Sequence, residues 1–154
     1  MKHILVAGGS GNIGSFLKQT FSTNDFIFIS SKDCDLLSND SIKKYFTKLK
    51  KIDVLIYLVG LAHRKGKKSD LNEFNNVNYE TLVNLLSFLG SVSKLPDKII
   101  FASTTSVYGE KYDQIIYDEN TAPLPFSPYA ITKLKAEEYL LKYYSERSWI
   151  IRFA

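Results

Sequence analysis

Cysteine is almost absent from this 154-residue chain, where Cys34 stands alone. No intrachain disulfide can form, which excludes a small disulfide-stapled secreted scaffold and fits a reducing, cytoplasmic setting. Histidine is scarce as well, and with one cysteine and two histidines no zinc-ligand spacing exists, so no metal is expected. No run approaches the roughly 18 apolar residues of a membrane span. The N-terminus has one Lys before a short apolar strand, which is not the layout of a signal peptide, so no membrane partner is expected. Neither sign of charge is in large excess: 20 Lys and Arg against 16 Asp and Glu leave +4, with a pI near 9.0. That balance suits an anionic small molecule such as a nucleotide. Without a basic helix or zinc-ligand spacing, nucleic acid is not expected as a partner. Low-complexity linkers are missing too, as is any repeat beyond an alternation of strand and helix.

What is present belongs to a folded domain. Ten Tyr and ten Phe argue against disorder, and the length allows one domain with a real core. Short apolar runs at 3–7, 26–29, 54–59, 99–102 and 149–153 read as buried strands, with a further short strand expected at 33–37. Helical spacing follows the first run (Ile13, Phe16, Leu17, Thr20, Phe21) and covers 38–50, 71–89 and 128–145. The alternation predicts an α/β fold with a doubly wound parallel sheet of Rossmann type, strand order 3-2-1-4-5-6, and right-handed connections.

Three stretches carry chemistry. Gly8, Gly11 and Gly14 are spaced three apart between the first strand and a helix. Gly8 would permit a tight turn, Gly11 close approach of backbone to a pyrophosphate, and Gly14 close helix-to-strand packing. The helix start at Asn12 and Ile13 would offer N–H groups and dipole to the phosphates. After the second strand, where an NAD site usually supplies an acidic residue, stand Ser30, Ser31 and Lys32. Hydroxyls and an ammonium suit a 2′-phosphate and lean the cofactor toward NADP, while Asp33 close by keeps NAD open.

The apolar run at 99–102 ends in the hydroxyl cluster Ser103, Thr104, Thr105 and Ser106. At least two of these are expected to satisfy turn backbone groups. Residues 110–126 read as an irregular active-site loop, and His63 to Lys68 as a basic loop that is more plausibly solvated than phosphate-binding. Ser127 and Pro128 then form a helix start. Tyr129 and Lys133, four apart, share a helix face. An ammonium beside a phenol favours the phenolate and lowers the tyrosine pKa from about 10, which equips it to exchange a proton with an alcohol. Asn78, beside the apolar stripe of the long helix, is either a locally satisfied core amide or part of the site.

Together these residues resemble the extended short-chain dehydrogenase/reductases, the nucleotide-sugar epimerases and dehydratases, over the whole chain. The resemblance rests on Gly8, Gly11 and Gly14, on Phe101 through Gly109, and on Ser127 through Lys133 followed by Leu134, Ala136 and Glu137. Asn78, within Asn75-Asn76-Val77-Asn78, completes it. It implies Thr104, Tyr129 and Lys133 as catalytic residues, Lys133 also holding the nicotinamide ribose, and Asp35 and Leu36 near adenine. The cofactor set is then Gly8, Gly11, Asn12, Ile13, Gly14, Ser30, Ser31, Lys32, Asp35, Leu36, Leu58, Val59, Gly60, Asn78, Tyr129 and Lys133. Tyr108 and Glu119 fall in stretches that line the site. The implied cofactor is NAD or NADP, the partner a nucleotide-sugar substrate, and the full-length parent a homodimer.

The chain also departs from the pattern. The acidic residue after the second strand is missing, Thr81 stands where a glycine often follows the helix asparagine, and Ala62 replaces a lysine seen in UDP-galactose 4-epimerases. Family members continue past the strand containing Arg152, so residues 1–154 are read as a dinucleotide-binding domain without its substrate domain, exposing apolar surface where later elements would pack. Two functions follow: an NAD(P)-dependent epimerase, dehydratase or reductase with Tyr129 as acid/base, or a cofactor-binding fragment or regulatory module without catalysis of its own.

Overall fold

A computed structural model describes residues 3–21, 25–49, 51–62, 71–109 and 116–154. Among them the apolar runs form five strands: β1 (Ile4–Ala7), β2 (Phe26–Ile29), β3 (Val54–Tyr57), β4 (Lys98–Thr104) and β5 (Ser148–Phe153). They make one sheet in the order β2-β1-β3-β4-β5, with every neighbouring pair parallel. Parallel pairing needs a long crossover, and a helix supplies each one. α1 (Asn12–Thr20) leads to β2 and α2 (Asn39–Phe46) to β3. α3 (Leu71–Asn75), a π-helical turn (Asn76–Glu80) and α4 (Thr81–Ser91) lead to β4, and α5 (Pro128–Tyr144) leads to β5. No helix among the described residues is long and apolar enough to cross a membrane.

The strand expected at 33–37 does not form. The Asp33 and Cys34 N–H groups both donate to the Ser30 carbonyl, Ser38 N–H donates to the Asp35 carbonyl, and Leu37 N–H donates to Asp35 Oδ1. Groups that a ladder would need are spent on consecutive turns. Cys34 and Leu36 still enter the core, which explains the alternation that suggested a strand. Without that edge strand, the expected order 3-2-1-4-5-6 renumbers to the order observed. The crossover direction reverses between β1 and β3, which opens a crevice at their C-terminal ends.

The two sheet faces are covered unequally. Leu5, Ala7, Ile29, Leu55, Tyr57, Ile99 and Phe101 lie on one face, against Ile42 and Phe46 of α2, Leu82, Leu85, Leu86 and Leu89 of α4, and Ala136 and Leu140 of α5. On the other face α1 covers only the β1–β2 end. There Phe21 stacks on Phe26 at 5.5 Å and Phe26 on Phe28 at 5.9 Å. The residue of α1 that touches the β1 turn is Gly14, so Ile13 and Phe16, expected to be apolar anchors, are 43% and 65% exposed. Farther along, Trp149, Ile151 and Phe153 pair in register with Ile100, Ala102 and Thr104 and remain 48%, 43% and 43% exposed. Parallel sheets are ordinarily covered on both faces; here, among the described residues, the β5 end of one face stays partly exposed.

Gly14 is the tightest point of the α1 packing. A Cβ there would collide with the Gly8 carbonyl oxygen and lie 2.8 Å from Gly9 Cα, both of them backbone atoms. Gly14→Ala is expected to cost about 2–3 kcal/mol, lowering Tm by roughly 5–10 °C in thermal denaturation. A Tm within about 1 °C of the unchanged chain would mean that α1 can lift off the turn freely.

Candidate active site

A cleft of about 380 Å³ opens at the C-terminal ends of β1 and β3. Gly8 forms its floor, with φ +90°. A Cβ at Gly8 would stand 2.9 Å from the Leu58 carbonyl carbon and 3.0 Å from Val59 N, so the chain leaving β3 passes directly against it. Gly11 lies differently: the nearest atom to a Cβ there would be the Gly8 carbonyl oxygen at 3.4 Å. Gly11 is also the N-cap of α1, a helix with no side-chain cap and no acid in its first turn. Among the described residues, its N–H groups around Asn12, Ile13 and Gly14 have no side-chain cap and its dipole no acid in the first turn. The far wall comes from the turns after β2, from Leu58, Val59 and Gly60, and from Val77 and Thr81 of the helical crossover.

Of the residues expected at a cofactor, Gly8, Gly11, Ser30, Ser31, Asp35, Leu36, Leu58, Val59 and Gly60 line this one cleft. Lys32 is exposed and does not line it. Asp33, the acid that could replace the missing one, is turned back. Its carboxylate accepts from Ser30 N–H at 2.8 Å and Ser30 Oγ at 2.6 Å. Those bonds hold it below the usual carboxylate range, and its charge closes a turn.

Gly60 joins the cleft to the Tyr129–Lys133 face. A Cβ at Gly60 would lie 3.6 Å from Asn78 Oδ1 and 3.8 Å from Lys133 Nζ. α5 starts where its sequence dictates: Ser127 Oγ accepts from Ala130 N–H, with Pro128 in the first helical position. Lys133 is 3% exposed, and its ammonium lies 4.1 Å from the centre of the Phe101 ring. Burial pushes it down to about 8, and the nearby Glu137 carboxylate offsets only part of that. Burial also pushes the half-buried Tyr129 phenol up, partly opposed by its hydrogen bond with Thr104. The spacing of Tyr129 and Lys133 predicted a lowered phenol. In the protein alone desolvation dominates both groups, and the ammonium yields its proton before the phenol.

The four clustered hydroxyls separate by position. Ser103 turns to the helix side and donates to Glu137. Thr104 ends β4, contacts Tyr129, and accepts from Ser106 N–H at 3.2 Å to cap the 3-10 turn at Thr105–Tyr108. Thr105 and Ser106 are exposed.

Asn78 sits in the π-helical turn, a local widening common at functional sites. Its Oδ1 accepts from Leu61 N–H at 2.6 Å. Its Nδ2 donates to the Leu61 carbonyl at 3.2 Å and to Thr132 Oγ1 at 3.0 Å. The amide is therefore satisfied, and it fastens the segment after β3 to α5 between Tyr129 and Lys133. Thr81, where a glycine was the expectation, bonds the buried Tyr57 hydroxyl at 2.7 Å and donates to the Val77 carbonyl at 2.6 Å.

Tyr108 and Glu119 line a second cavity of about 550 Å³ with Thr105, Tyr117, Asp118, Ile150, Ile151 and Arg152. The basic stretch at 63–68 lies outside the described residues. Sequence reading missed Ser10, Ile29, Cys34, Leu37, Val77 and Thr81 in the cleft, and Thr132 beside it. Val77 and Thr81 flank Asn78 at helical spacing and were the most discoverable of these.

Residues 4–152 match the model of the NAD dependent epimerase/dehydratase family. The chain is 31% identical over 160 aligned positions to an uncharacterized UDP-glucose epimerase of Bacillus subtilis, YtcB, covering 88% of this chain and 49% of the relative. RMD from Pseudomonas aeruginosa, solved with NADPH, superposes with a TM-score of 0.83 at 25% identity, over 99% of this chain and 54% of that one. UDP-glucuronic acid 4-epimerase from Bacillus cereus, solved with NAD, gives 0.75 at 29% identity, over 100% and 57%. NAD or NADP is thus the cofactor of these proteins, and this chain spans about half the length of the curated relatives it matches.

The Lys133 shift carries a stability consequence. The folded chain holds that proton less tightly than the unfolded chain, whose lysine has the ordinary value. Below about pH 8 the full cost of the buried ammonium is present, and it is relieved as pH rises from about 8 toward 10.5. The cost is about 3 kcal/mol. Lys133→Met is expected to raise Tm at pH 7 by roughly 4–8 °C, and the gain should shrink through that alkaline window. An unchanged or lower Tm at pH 7 would contradict it.

Proposed function

Because the chain belongs to the NAD-dependent epimerase/dehydratase family, we propose that it is the dinucleotide-binding domain of an NAD(P)-dependent epimerase, dehydratase or reductase of a nucleotide-activated sugar. Tyr129 is the acid/base in this reading. The observation that carries it is the junction at Gly60, where the glycine cleft meets Lys133 and the Asn78 amide. The chain's own residues fit the cofactor: Gly11 and the uncapped start of α1 suit a pyrophosphate, the 380 Å³ cleft suits the adenosine end, and Tyr129 and Lys133 suit the nicotinamide end. When bound, that cofactor supplies a hydride acceptor or donor.

Tyr129 takes a proton from, or returns it to, a sugar hydroxyl. To act as a base near neutral pH its phenol must lie about 3 pH units below its ordinary value, which needs roughly 4 kcal/mol of preferential phenolate stabilisation beyond what offsets its burial. Thr104 contributes a hydrogen bond. Lys133, largely protonated below about pH 8, contributes charge in a site screened from water. A positive charge bound in the cleft would add to both.

The exposed apolar residues at the β5 end of the sheet, Trp149, Ile151 and Phe153, favour a second reading for the 154 residues taken alone. In that reading they bind NAD(P) and turn over no sugar, the chemistry needing a longer protein.

Tyr129→Phe tests the acid/base role. In a longer protein that carries this domain and shows turnover, kcat is expected to fall by about 10²–10⁴-fold. NAD(P)H affinity, read by nucleotide fluorescence, should change by less than about threefold. Near-unchanged turnover would remove Tyr129 from the chemistry.

A further inference from the structure

Glu137 lies one helical turn beyond Lys133 and two beyond Tyr129, on the same face of α5, and is wholly buried. A buried carboxylate is costly unless both oxygens are answered. Here Oε1 accepts from Ser103 Oγ and from Arg152 Nε, and Oε2 accepts from Arg152 Nη2 at 2.6 Å. Ser103 and Arg152 are register partners on β4 and β5, and the guanidinium also lies 4.7 Å from the Tyr108 ring centre. One carboxylate thus ties the helix face of Tyr129 and Lys133 to the strand end of Thr104, to β5 and to the turn that follows Thr104.

An apolar cluster of similar size would hold these elements together equally well, so the charge calls for its own explanation. Around the Lys133 ammonium, α5 contributes the Glu137 charge, β4 contributes Phe101, the π-helical turn contributes Asn78, and the segment after β3 contributes Gly60, while Ser103 answers Glu137 and Thr104 answers Tyr129. Arg152 and Tyr108 stand behind Glu137. Glu137 is the one carboxylate in this set. We infer that Glu137 is a positioning residue of the Tyr129–Lys133 site, a buried counter-charge that keeps Lys133 an ammonium while its bond to Ser103 fixes the strand end that carries Thr104. The inference rests on the reading of Tyr129 and Lys133 given under Proposed function. Burial draws the proton off Lys133, and Glu137 is the group that opposes it.

The test reads Lys133 directly and needs no turnover: an NMR titration of the lysine side-chain signals of the 154-residue chain, with Lys133 assigned by its loss in Lys133→Met. Glu137→Gln keeps the shape and can still accept from Ser103. Its Lys133 midpoint is expected to fall by about one pH unit or more. Glu137→Asp, which keeps the charge, should recover most of that shift. Where Glu137→Gln alone does not fold, the double variant Glu137→Gln with Arg152→Met leaves no unpaired guanidinium, and a smaller fall in the same direction is expected, because a cation leaves with the carboxylate. An unmoved Lys133 midpoint in a folded variant, with only Tm lowered, would make Glu137 a structural staple and overturn the inference. Failure of the chain to bind NAD(P)H would count against the proposed function and leave this titration valid.

Discussion

Lys133 is held out of water by the Phe101 ring, the edge of Gly60 and the helical crossover that carries Asn78, with no carboxylate paired to it among the described residues. A group with that much solvation to lose forces its surroundings to be polar, rigid and complete. The neighbouring polar groups comply. Both ends of the Asn78 amide are bonded, Thr132 is answered from α5 and from Asn78, and the Tyr57 hydroxyl is answered by Thr81. Perturbed ionisation of this kind concentrates where a protein does chemistry. Here the perturbed group lies one glycine away from a cleft shaped by two other glycines.

The glycines act by what they leave out. At Gly8 a side chain would strike the backbone after β3, and at Gly14 it would strike the β1 turn itself. At Gly60 it would only come into ordinary contact with Asn78 and Lys133. The first two bring α1 and β3 close enough to make a cleft, and the third stands where that cleft adjoins Asn78 and Lys133. Sheet topology puts the whole arrangement at the reversal of crossover direction, where the strand ends part.

Much of this was legible in the residues. Apolar runs bounded by turn formers identified every strand of the sheet. Ser127 and Pro128 located the start of α5, and the glycine spacing located the α1 turn. What escaped has definite physical causes. Residues 33–37 alternate like a strand because Cys34 and Leu36 are buried, but their backbone groups are spent on turns. Ile13 and Phe16 keep helical spacing yet stay exposed, because Gly14 makes the contact. The π-helical turn at Asn76–Glu80 leaves no periodic signature over five residues. The direction of the Tyr129 shift was misjudged because spacing along a helix reveals a neighbour's charge and not how much water both have lost.

We propose that the glycine cleft and the Tyr129–Lys133 face form one cofactor site joined at Gly60. Backbone NMR of the 154-residue chain during titration with NADH or NADPH tests it directly. Signals of Gly8, Gly11, Gly60, Tyr129 and Lys133 are expected to shift together and follow a single binding curve. Shifts confined to the glycine turn, with Gly60 and the α5 residues unmoved at saturation, would contradict it.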